Sequence, residues 1–343
     1  MVSWGVLSTA RIGLQSVAPA ILATPGAKLA AVASETPGKA EKWVKALSES
    51  SGHSLDEVKI YDTYGALLED PDIDAVYIPL PNSLHSEWTI RAAKAKKHIL
   101  SEKPMAIDAK EARHTIDACR AEGVLFMEAF MYQFHPQYRR IREIMASGQI
   151  GQPRLIRSSF TFPLSNRADI RFSQALAGGS LMDVGCYCIH SARLLFGEEP
   201  VSVLASAEME NNVDTTMTGV LNFSGGRVAL FDVSFSVTSR QLMEIVGTEG
   251  VILVERPWKA EGEAAKLSVG PTRGYERDYV TETLPLVSAY QLEIEAFCQA
   301  IRGQHPLPVD PEDAYRNMLV IDAVRKAAQT QKTVYLDRSL GWC

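Results

Sequence analysis

Short apolar runs alternate with helical stretches along the first 150 residues of the chain. The runs have the length and composition of buried strands, and they read, in order, WGVL, KLAAVAS, VKIY, DAVYIPL, HILS and VLFMEA. Strands and helices that alternate in this way form a parallel sheet with helices on both faces. The pattern therefore predicts an α/β fold class, with a doubly wound parallel sheet in the N-terminal part of the chain.

The pattern changes after Pro153. Between 201 and about 284 several strand-like segments follow one another, and Gly225-Gly226 is predicted to form a hairpin turn. Amphipathic periodicity then predicts two final helices, near 288–302 and 311–328. These features predict a C-terminal α+β domain with a large, mostly antiparallel, open sheet.

The chain is longer than one typical hydrophobic core, so we expect two domains in its 343 residues. We place a nucleotide-binding domain in residues 1–125 and a second domain in residues 126–343. The last helices of the second domain are free to pack back onto the first.

Charge and cysteine content exclude several classes of partner. A net charge of −6 and a pI near 5.7 argue against binding to nucleic acid or to an anionic membrane, because both require clustered basic residues. The five cysteines are scattered and form no metal-binding pattern, so we predict no metal site and no disulfide framework. The N-terminus lacks a secretion signal and no apolar stretch is long enough to span a membrane. These observations predict a cytoplasmic protein.

The loop after the first predicted strand has the spacing of a phosphate-binding loop. Aligned with the G-x-G-x-x-G pattern, it keeps the third glycine as Gly13 and has Ser8 and Ala10 in place of the first two. Small side chains allow the backbone to approach a pyrophosphate, and the next helix offers its N-terminal N–H groups. We predict that Ser8, Thr9, Ala10, Arg11 and Ile12 bind the cofactor, Arg11 by its charge. The alternative is an ordinary strand-to-helix turn.

About twenty residues further on, Ser34 and Glu35 end the second predicted strand. A carboxylate at this point accepts hydrogen bonds from the ribose hydroxyls of a dinucleotide and repels a 2′-phosphate. Glu35 therefore favours NAD over NADP as the cofactor. If Glu35 points into solvent instead, Ser34 decides the preference, so both cofactors stay open.

Glu102-Lys103-Pro104 follows the predicted strand HILS, which places a carboxylate and an ammonium at the carboxyl end of a strand. Ligands bind at this edge of an open α/β sheet. A proline after Lys103 restricts the lysine backbone, and a cis peptide bond is compatible with the sequence. The alternative is a surface strand that ends in a turn.

Five separated motifs, in order, resemble one enzyme family. They are VLSTARIG, AVYIPLPNSLH (75–85), ILSEKP, EAFMYQFHPQ (128–137) and the pair DIR and GGSLMDVGCY (within 169–187). Together they resemble the glucose–fructose oxidoreductase, inositol dehydrogenase and MocA family over nearly the whole chain. The resemblance implies a Rossmann domain joined to a substrate domain whose open sheet often forms a subunit interface, hence a homodimer or homotetramer.

The resemblance also implies the catalytic residues. Members use the lysine that corresponds to Lys103 and a residue of the Asp-x-Gly-x-His motif, which reads Asp183-Val-Gly185-Cys-Tyr187 here. Tyrosine in place of histidine resembles the branch of aldose and dihydrodiol dehydrogenases, in which this tyrosine exchanges the proton. A tyrosine titrates near pH 10, and an adjacent ammonium favours its phenolate. Asp183 would bind a second hydroxyl or orient Tyr187.

Each of these residues also has a structural interpretation. Tyr187 can be a core aromatic residue, and Asp183 can simply stabilise a helix N-terminus. His190 is a rival base that we interpret as a packing residue. By resemblance, the cofactor's nicotinamide end would contact Leu80, Pro81, Asn82, His85, Glu102 and Lys103. The substrate would contact Tyr132, Phe160, Arg171, Asp183 and Tyr187.

The sequence thus predicts an NAD(P)-dependent oxidoreductase that acts on CH–OH groups. The expected reaction is hydride transfer between nicotinamide and a carbinol or carbonyl carbon of a sugar, polyol or vicinal diol. The alternatives are a trans-dihydrodiol or 1,5-anhydrofructose-type reductase, and a non-catalytic dinucleotide-binding sensor.

Overall fold

The computed structural model describes residues 1–273 and 276–336. The chain forms two compact units. The first unit contains Met1–Met131 and Ser288–Tyr315, and the second contains Tyr132–Val287 and the chain from Arg316 onward. The assignment of separate functions to residues 1–125 and 126–343 stays a prediction. In the structure, the segment Ser288–Tyr315 belongs to the first unit although it lies within the second of these ranges.

The first unit is built on a six-stranded parallel sheet in the order β3-β2-β1-β4-β5-β6. Its strands are Val2–Leu7 (β1), Ala27–Ala33 (β2), Lys59–Tyr61 (β3), Ala75–Ile78 (β4), His98–Ser101 (β5) and Phe126–Glu128 (β6). The central strands are buried on both faces, which explains their continuous apolar sequence. The predicted doubly wound parallel sheet is confirmed.

Helices connect the strands of this sheet. They are Ala18–Ala23 (α1), Lys39–Ser51 (α2), Tyr64–Glu69 (α3), Asn82–Lys94 (α4) and Ala109–Glu122 (α5). The side chain of Asp108 caps α5 by accepting the N–H of Glu111. Helix α2 begins after Gly38, which adopts a left-handed conformation.

The second unit is built on a larger sheet in the order β14-β13-β12-β11-β7-β10-β9-β8-β16, with β15 beside β13. Its strands are Pro153–Thr161 (β7), Ser202–Glu210 (β8), Val213–Asn222 (β9), Val228–Ser234 (β10), Arg240–Gly247 (β11), Gly250–Val254 (β12), Lys266–Arg273 (β13), Glu276–Arg277 (β14), Val280–Thr283 (β15) and Val334–Tyr335 (β16). Among the described strands of this second sheet, only β7 and β10 pair in parallel. The predicted large, mostly antiparallel sheet is confirmed.

The remaining helices are Pro136–Ser147 (α6), Cys186–Phe196 (α7), Ala289–Ile301 (α8) and Pro311–Thr330 (α9). Helix α7 continues a π-helical turn over Leu181–Gly185 and packs against β7 and β10. Gly225 and Gly226 join the antiparallel strands β9 and β10, and both have positive φ angles that favour glycine. The hairpin turn predicted from these two glycines is confirmed.

None of the helices in residues 1–273 and 276–336 is both long and apolar enough to cross a bilayer. Four cysteines (Cys119, Cys186, Cys188 and Cys298) are buried free thiols. The fifth cysteine, at position 343, lies outside the described residues. Within the described part of the chain, no group of three or more His, Cys, Asp or Glu side chains could hold a metal ion.

Candidate active site

The loop that follows β1 has the geometry of a tight phosphate-binding turn. Ser8 has a φ angle of 138°, a region that glycine occupies more readily than other residues. Its hydroxyl donates to the Pro79 carbonyl at 3.0 Å and accepts the N–H of Ala10 at 3.2 Å. Ser8 thus holds the conformation of the first glycine in the fingerprint and also ties this loop to the one that follows β4.

The surroundings of the loop fit a dinucleotide. Thr9, Ala10 and Ile12 are partly exposed and Arg11 is exposed. They lie at the start of a helical stretch in which a π-helical segment, Gly13–Val17, precedes α1, and the first N–H groups of a helix lack partners within it. A Cβ at Gly13 would lie 3.4 Å from Trp43, at ordinary van der Waals contact, so the packing around this position does not by itself require glycine. The small side chains and helix N-terminus predicted for residues 8–12 are present, and these residues suit a pyrophosphate.

The end of β2 presents Ser34 and Glu35 at the same edge of the sheet. Ser34 is buried, and its hydroxyl bonds the backbone of Thr36. Glu35 is exposed, and one of its carboxylate oxygens accepts the N–H of Tyr64, the first residue of α3, at 3.0 Å. This contact ties the Glu35 carboxylate to the start of α3, and its role towards a ribose stays a prediction.

His85 joins the loops that follow β4 and β5. The imidazole is 1% exposed, with Nε2 at 2.7 Å from the Leu80 carbonyl oxygen and Nδ1 at 2.8 Å from that of Pro104. Pro81 and Asn82, which begin α4 beside it, are partly exposed. The contacts of His85 favour a role in holding the two loops rather than a direct bond to a cofactor.

The stability of the fold should report the protonation of His85. Burial lowers the pKa of His85 from 6.5 to about 4, although two carbonyl oxygens near the ring favour its protonated form. The neutral ring then contributes stability above pH 6.5 that is lost as the pH falls towards 4, about 3 kcal/mol in total. Chemical denaturation of wild type and of a His85→Gln variant between pH 7 and pH 4 measures this contribution. The difference between their free energies of unfolding should shrink as the pH falls.

The exposed His53 supplies the control for this measurement, because His53→Gln makes the same change at the surface and should follow wild type at every pH. A difference between wild type and His85→Gln that grows towards pH 4 would show instead that the folded protein holds an imidazolium bonded to both carbonyls.

Glu102 and Lys103 follow β5, as predicted, and both are partly exposed. The Tyr77 hydroxyl donates to the Glu102 carboxylate at 2.6 Å, and the Lys103–Pro104 peptide bond is cis. Just beyond it, the Glu128 carboxylate accepts the N–H of Met105 at 2.8 Å. The backbone on either side of Lys103 is bonded to neighbouring strands, because the Glu102 N–H donates to the Ile78 carbonyl and the Met105 N–H donates to the Glu128 carboxylate.

In the second unit, two glycines and a buried aspartate form the turn that starts the helix of the Asp-x-Gly-x-Tyr motif. A Cβ at Gly178 would lie 2.3 Å from the Arg171 carbonyl oxygen, and one at Gly179 would lie 2.2 Å from the Asp214 carboxylate. Asp214 accepts hydrogen bonds from the Ser180 hydroxyl and from the N–H of Leu181, both at 2.7 Å. This carboxylate fixes the helix N-terminus, a role that the sequence analysis missed.

Asp183 is held by an arginine. The Arg171 Nε donates to the Asp183 carboxylate at 2.7 Å, and the guanidinium also bonds Asp169 at 3.2 Å. The negative charge of Asp183 is the largest of the effects that raise the pKa of Arg171 above its ordinary value. The structure thus brings Arg171 and Asp183 together as an ion pair, which fixes the direction of the carboxylate one turn before Tyr187.

Tyr187 lies in an aromatic cluster. Its ring centroid is 5.7 Å from that of Phe160, 5.9 Å from that of Tyr132 and 6.3 Å from that of Trp258. Phe160 and Trp258 stack with an interplanar angle of 2°. The predicted residues Tyr132, Phe160 and Tyr187 therefore come together, and Trp258 is an additional member that no sequence motif indicated.

His190, the rival base, is 1% exposed, and its Nδ1 is hydrogen-bonded to the Tyr132 hydroxyl. The predicted site residues thus fall into two groups, each assembled within one unit. The first unit holds the proposed cofactor residues and Lys103, and the second holds Tyr132, Phe160, Arg171, Asp183 and Tyr187. Their roles in binding and catalysis stay predictions.

Comparison with known proteins extends over both units. Residues 2–130 match the oxidoreductase family with an NAD-binding Rossmann fold, and residues 138–253 match the GFO/IDH/MocA C-terminal domain. D-xylose 1-dehydrogenase (NADP(+)) 2 of Haloferax volcanii is 38% identical over 97% of this chain and 99% of its own. Trans-1,2-dihydrobenzene-1,2-diol dehydrogenase of Xenopus laevis is 32% identical over 73% of this chain and 74% of its own.

Among solved structures, a 3-ketoreductase from Actinomadura kijaniata, in complex with NADP and TDP-benzene, aligns with a TM-score of 0.87. It is 30% identical and covers 95% of this chain and 97% of its own. The family resemblance predicted from the five motifs is confirmed. The chain belongs to the Gfo/Idh/MocA family of NAD(P)-dependent oxidoreductases.

Proposed function

We propose that the protein transfers a hydride reversibly between nicotinamide and a carbinol or carbonyl carbon of a sugar, polyol or vicinal diol. The observation that carries the proposal is the ion pair of Arg171 with Asp183 one turn before Tyr187, because it fixes a carboxylate on the helical turn that precedes the phenol residue. Neighbouring hydroxyls are the groups that such a pair suits. Relatives named for D-xylose and for a diol support this class of substrate.

In this proposal Tyr187 exchanges the proton of the reacting hydroxyl, and the ammonium of Lys103 favours the phenolate form of the tyrosine. Asp183 accepts a hydrogen bond from a second hydroxyl, and Tyr132 and Phe160 form an apolar wall. When bound, NAD(P) supplies the hydride acceptor or donor. The residues of the chain therefore handle the proton and the orientation of the substrate.

The cofactor site of the proposal comprises the loop of residues 8–12, Ser34 and Glu35 at the end of β2, and the segments after β4 and β5 near Leu80 and Glu102. The anchored Glu35 carboxylate favours ribose hydroxyls over a 2′-phosphate, which supports NAD. The relative from Haloferax volcanii, named for NADP(+), supports the other choice. Both cofactors therefore enter the test.

The test is the change of nicotinamide absorbance when purified protein receives NAD or NADP together with aldoses, inositols and vicinal diols in turn. Turnover of one substrate class is expected. A panel that includes a trans-dihydrodiol and 1,5-anhydrofructose distinguishes the alternative reductases. If both cofactors bind in a fluorescence titration and no substrate reacts, the protein is a dinucleotide-binding sensor and the assigned role of Tyr187 is wrong.

We further propose that two copies of the chain associate through the open face of the second sheet. A groove of about 470 Å³ lies on this face, between residues of β7, β10, β11 and β12. Leu242 is 38% exposed there, near an ion pair of Arg240 with Asp232 at 3.3 Å. Apolar surface framed by charges is typical of interfaces.

The free thiols support a reducing compartment, so we place the protein in the cytoplasm.

Light scattering tests the association. Wild type should have twice or four times the mass of the chain, and Leu242→Glu should shift it to the mass of one chain. Leu286→Glu is the control, because Leu286 is 61% exposed outside the strands of this sheet. A wild-type mass of a single chain would contradict the proposal.

A further inference from the structure

Helix α8 buries a carboxyl group in the first unit. Glu293 is 1% exposed, and its Oε1 has no hydrogen-bond partner in the described part of the chain. Its helix neighbours Ile294 and Phe297 are fully buried, and the Phe297 ring lies 5.8 Å from that of Trp4 in β1. An ionised carboxylate without donors in such surroundings is strongly unfavourable.

Among the described residues, Glu102 at the end of β5 acts on Glu293 through its negative charge. Tyr77 in β4 interacts electrostatically with both acids and with Tyr290, one turn earlier on α8. The Tyr77 hydroxyl donates to Glu102 at 2.6 Å and not to Glu293.

Two neighbouring carboxyl groups in a site of low polarity do not both ionise. The proton stays on the carboxyl group that is more buried and accepts fewer hydrogen bonds. Glu102 is partly exposed and accepts the Tyr77 hydroxyl, whereas Glu293 is buried and its Oε1 accepts no hydrogen bond within residues 1–273 and 276–336. Burial, followed by the charge of Glu102, raises the pKa of Glu293 well above its ordinary value of 4.5. The proton therefore belongs on Glu293.

We propose that Glu293 is a protonated positioning residue, which leaves the negative charge of the pair on Glu102, the residue before Lys103. The inference rests on the proposed function, because the proposed cofactor site includes Glu102. A second negative charge in this cluster would repel the Glu102 carboxylate and an anionic dinucleotide. By remaining neutral, Glu293 adds no such charge.

Infrared spectroscopy tests the protonation directly. At neutral pH the wild-type protein should show the C=O stretch of a buried carboxylic acid, which the isosteric Glu293→Gln variant should lack. Glu295→Gln makes the same change two residues later, where the side chain is partly exposed, and should keep the band. Absence of the band from wild type would overturn the proposal. That outcome is measured on the wild-type protein and does not depend on whether the variants fold.

The dependence of stability on pH gives a second test. The raised pKa means that the contribution of Glu293 is complete below pH 4.5 and is lost as the pH rises towards the pKa of the folded protein. Glu293→Gln should therefore gain stability relative to wild type with rising pH, by up to about tenfold in the unfolding equilibrium constant per pH unit. A relative loss with rising pH would show an ionised, paired Glu293.

The positioning role is tested by the pH dependence of cofactor binding, which would be the same in wild type and variant if Glu293 served only for packing. The dissociation constant of wild type for NAD and NADP should rise at high pH, where Glu293 ionises, and Glu293→Gln should flatten this rise. Parallel curves for the two proteins would show that Glu293 only fills space. The infrared and stability results do not involve a substrate, so they stand even if Lys103 proves to have no part in turnover.

Discussion

Replacing Lys103 by methionine is expected to lower kcat about a thousandfold and to leave the dissociation constant for NAD(P) nearly unchanged. Methionine keeps the apolar stem of the side chain and removes the ammonium, while the backbone keeps the hydrogen bonds of the Glu102 N–H to Ile78 and of the Met105 N–H to Glu128. In the proposed reaction the substitution removes the charge assigned to favour the Tyr187 phenolate and a donor to the reacting oxygen. Steady-state kinetics and a fluorescence titration of the cofactor measure the two quantities separately.

Lys94→Met is the matched control, because Lys94 is exposed in the last turn of α4 in the same unit. Its kcat should equal that of wild type. A Lys103→Met protein that loses cofactor binding and turnover together would show that Lys103 is mainly a cofactor ligand.

Tyr187→Phe is expected to lower kcat by about a hundredfold or more. Phenylalanine preserves the ring contacts with Phe160, Tyr132 and Trp258, so the variant removes only the hydroxyl that we propose exchanges the proton. The pH–rate profile should lose the limb that reports the titration of the phenol, and thermal unfolding should confirm that the fold is intact.

Tyr138→Phe serves as the control, because Tyr138 is a fully buried phenol in the same cluster, with its ring 4.6 Å from that of Tyr132. Its kcat and pH profile should match those of wild type. A near-normal rate for Tyr187→Phe would transfer the proton exchange to Lys103 or His190.

The parts of the fold that the sequence predicted are those with a periodic signal. Six apolar runs predicted the parallel sheet, since strands covered on both faces contain few polar residues. The glycine pair at 225 and 226 predicted a turn because positive φ angles select for that residue. The candidate site was found from short motifs at strand ends and at a helix start, where position in the chain already implies position at one edge of a sheet.

Other features have no local signal. Asp214 and Glu293 are single acidic residues in a strand and a helix, and nothing around them in the sequence distinguishes them from solvent-facing acids. Trp258 lies far in sequence from the Phe160 on which it stacks. The return of Ser288–Tyr315 to the first unit was foreseen only as an option, because amphipathic periodicity tells which face of a helix is buried and not against what.

The sequence by itself determined the doubly wound sheet, the order of the motifs and the residue types that can bind a dinucleotide and exchange a proton. These depend on hydrophobic period, turn chemistry and residue type, which are local properties of the chain. Only the folded chain brings Arg171 to Asp183, places the Asp214 carboxylate at the helix start and buries Glu293 with no hydrogen bond to its Oε1 within the described residues. Burial and charge pairing join residues distant in sequence, and their energies depend on surroundings that only the folded chain creates.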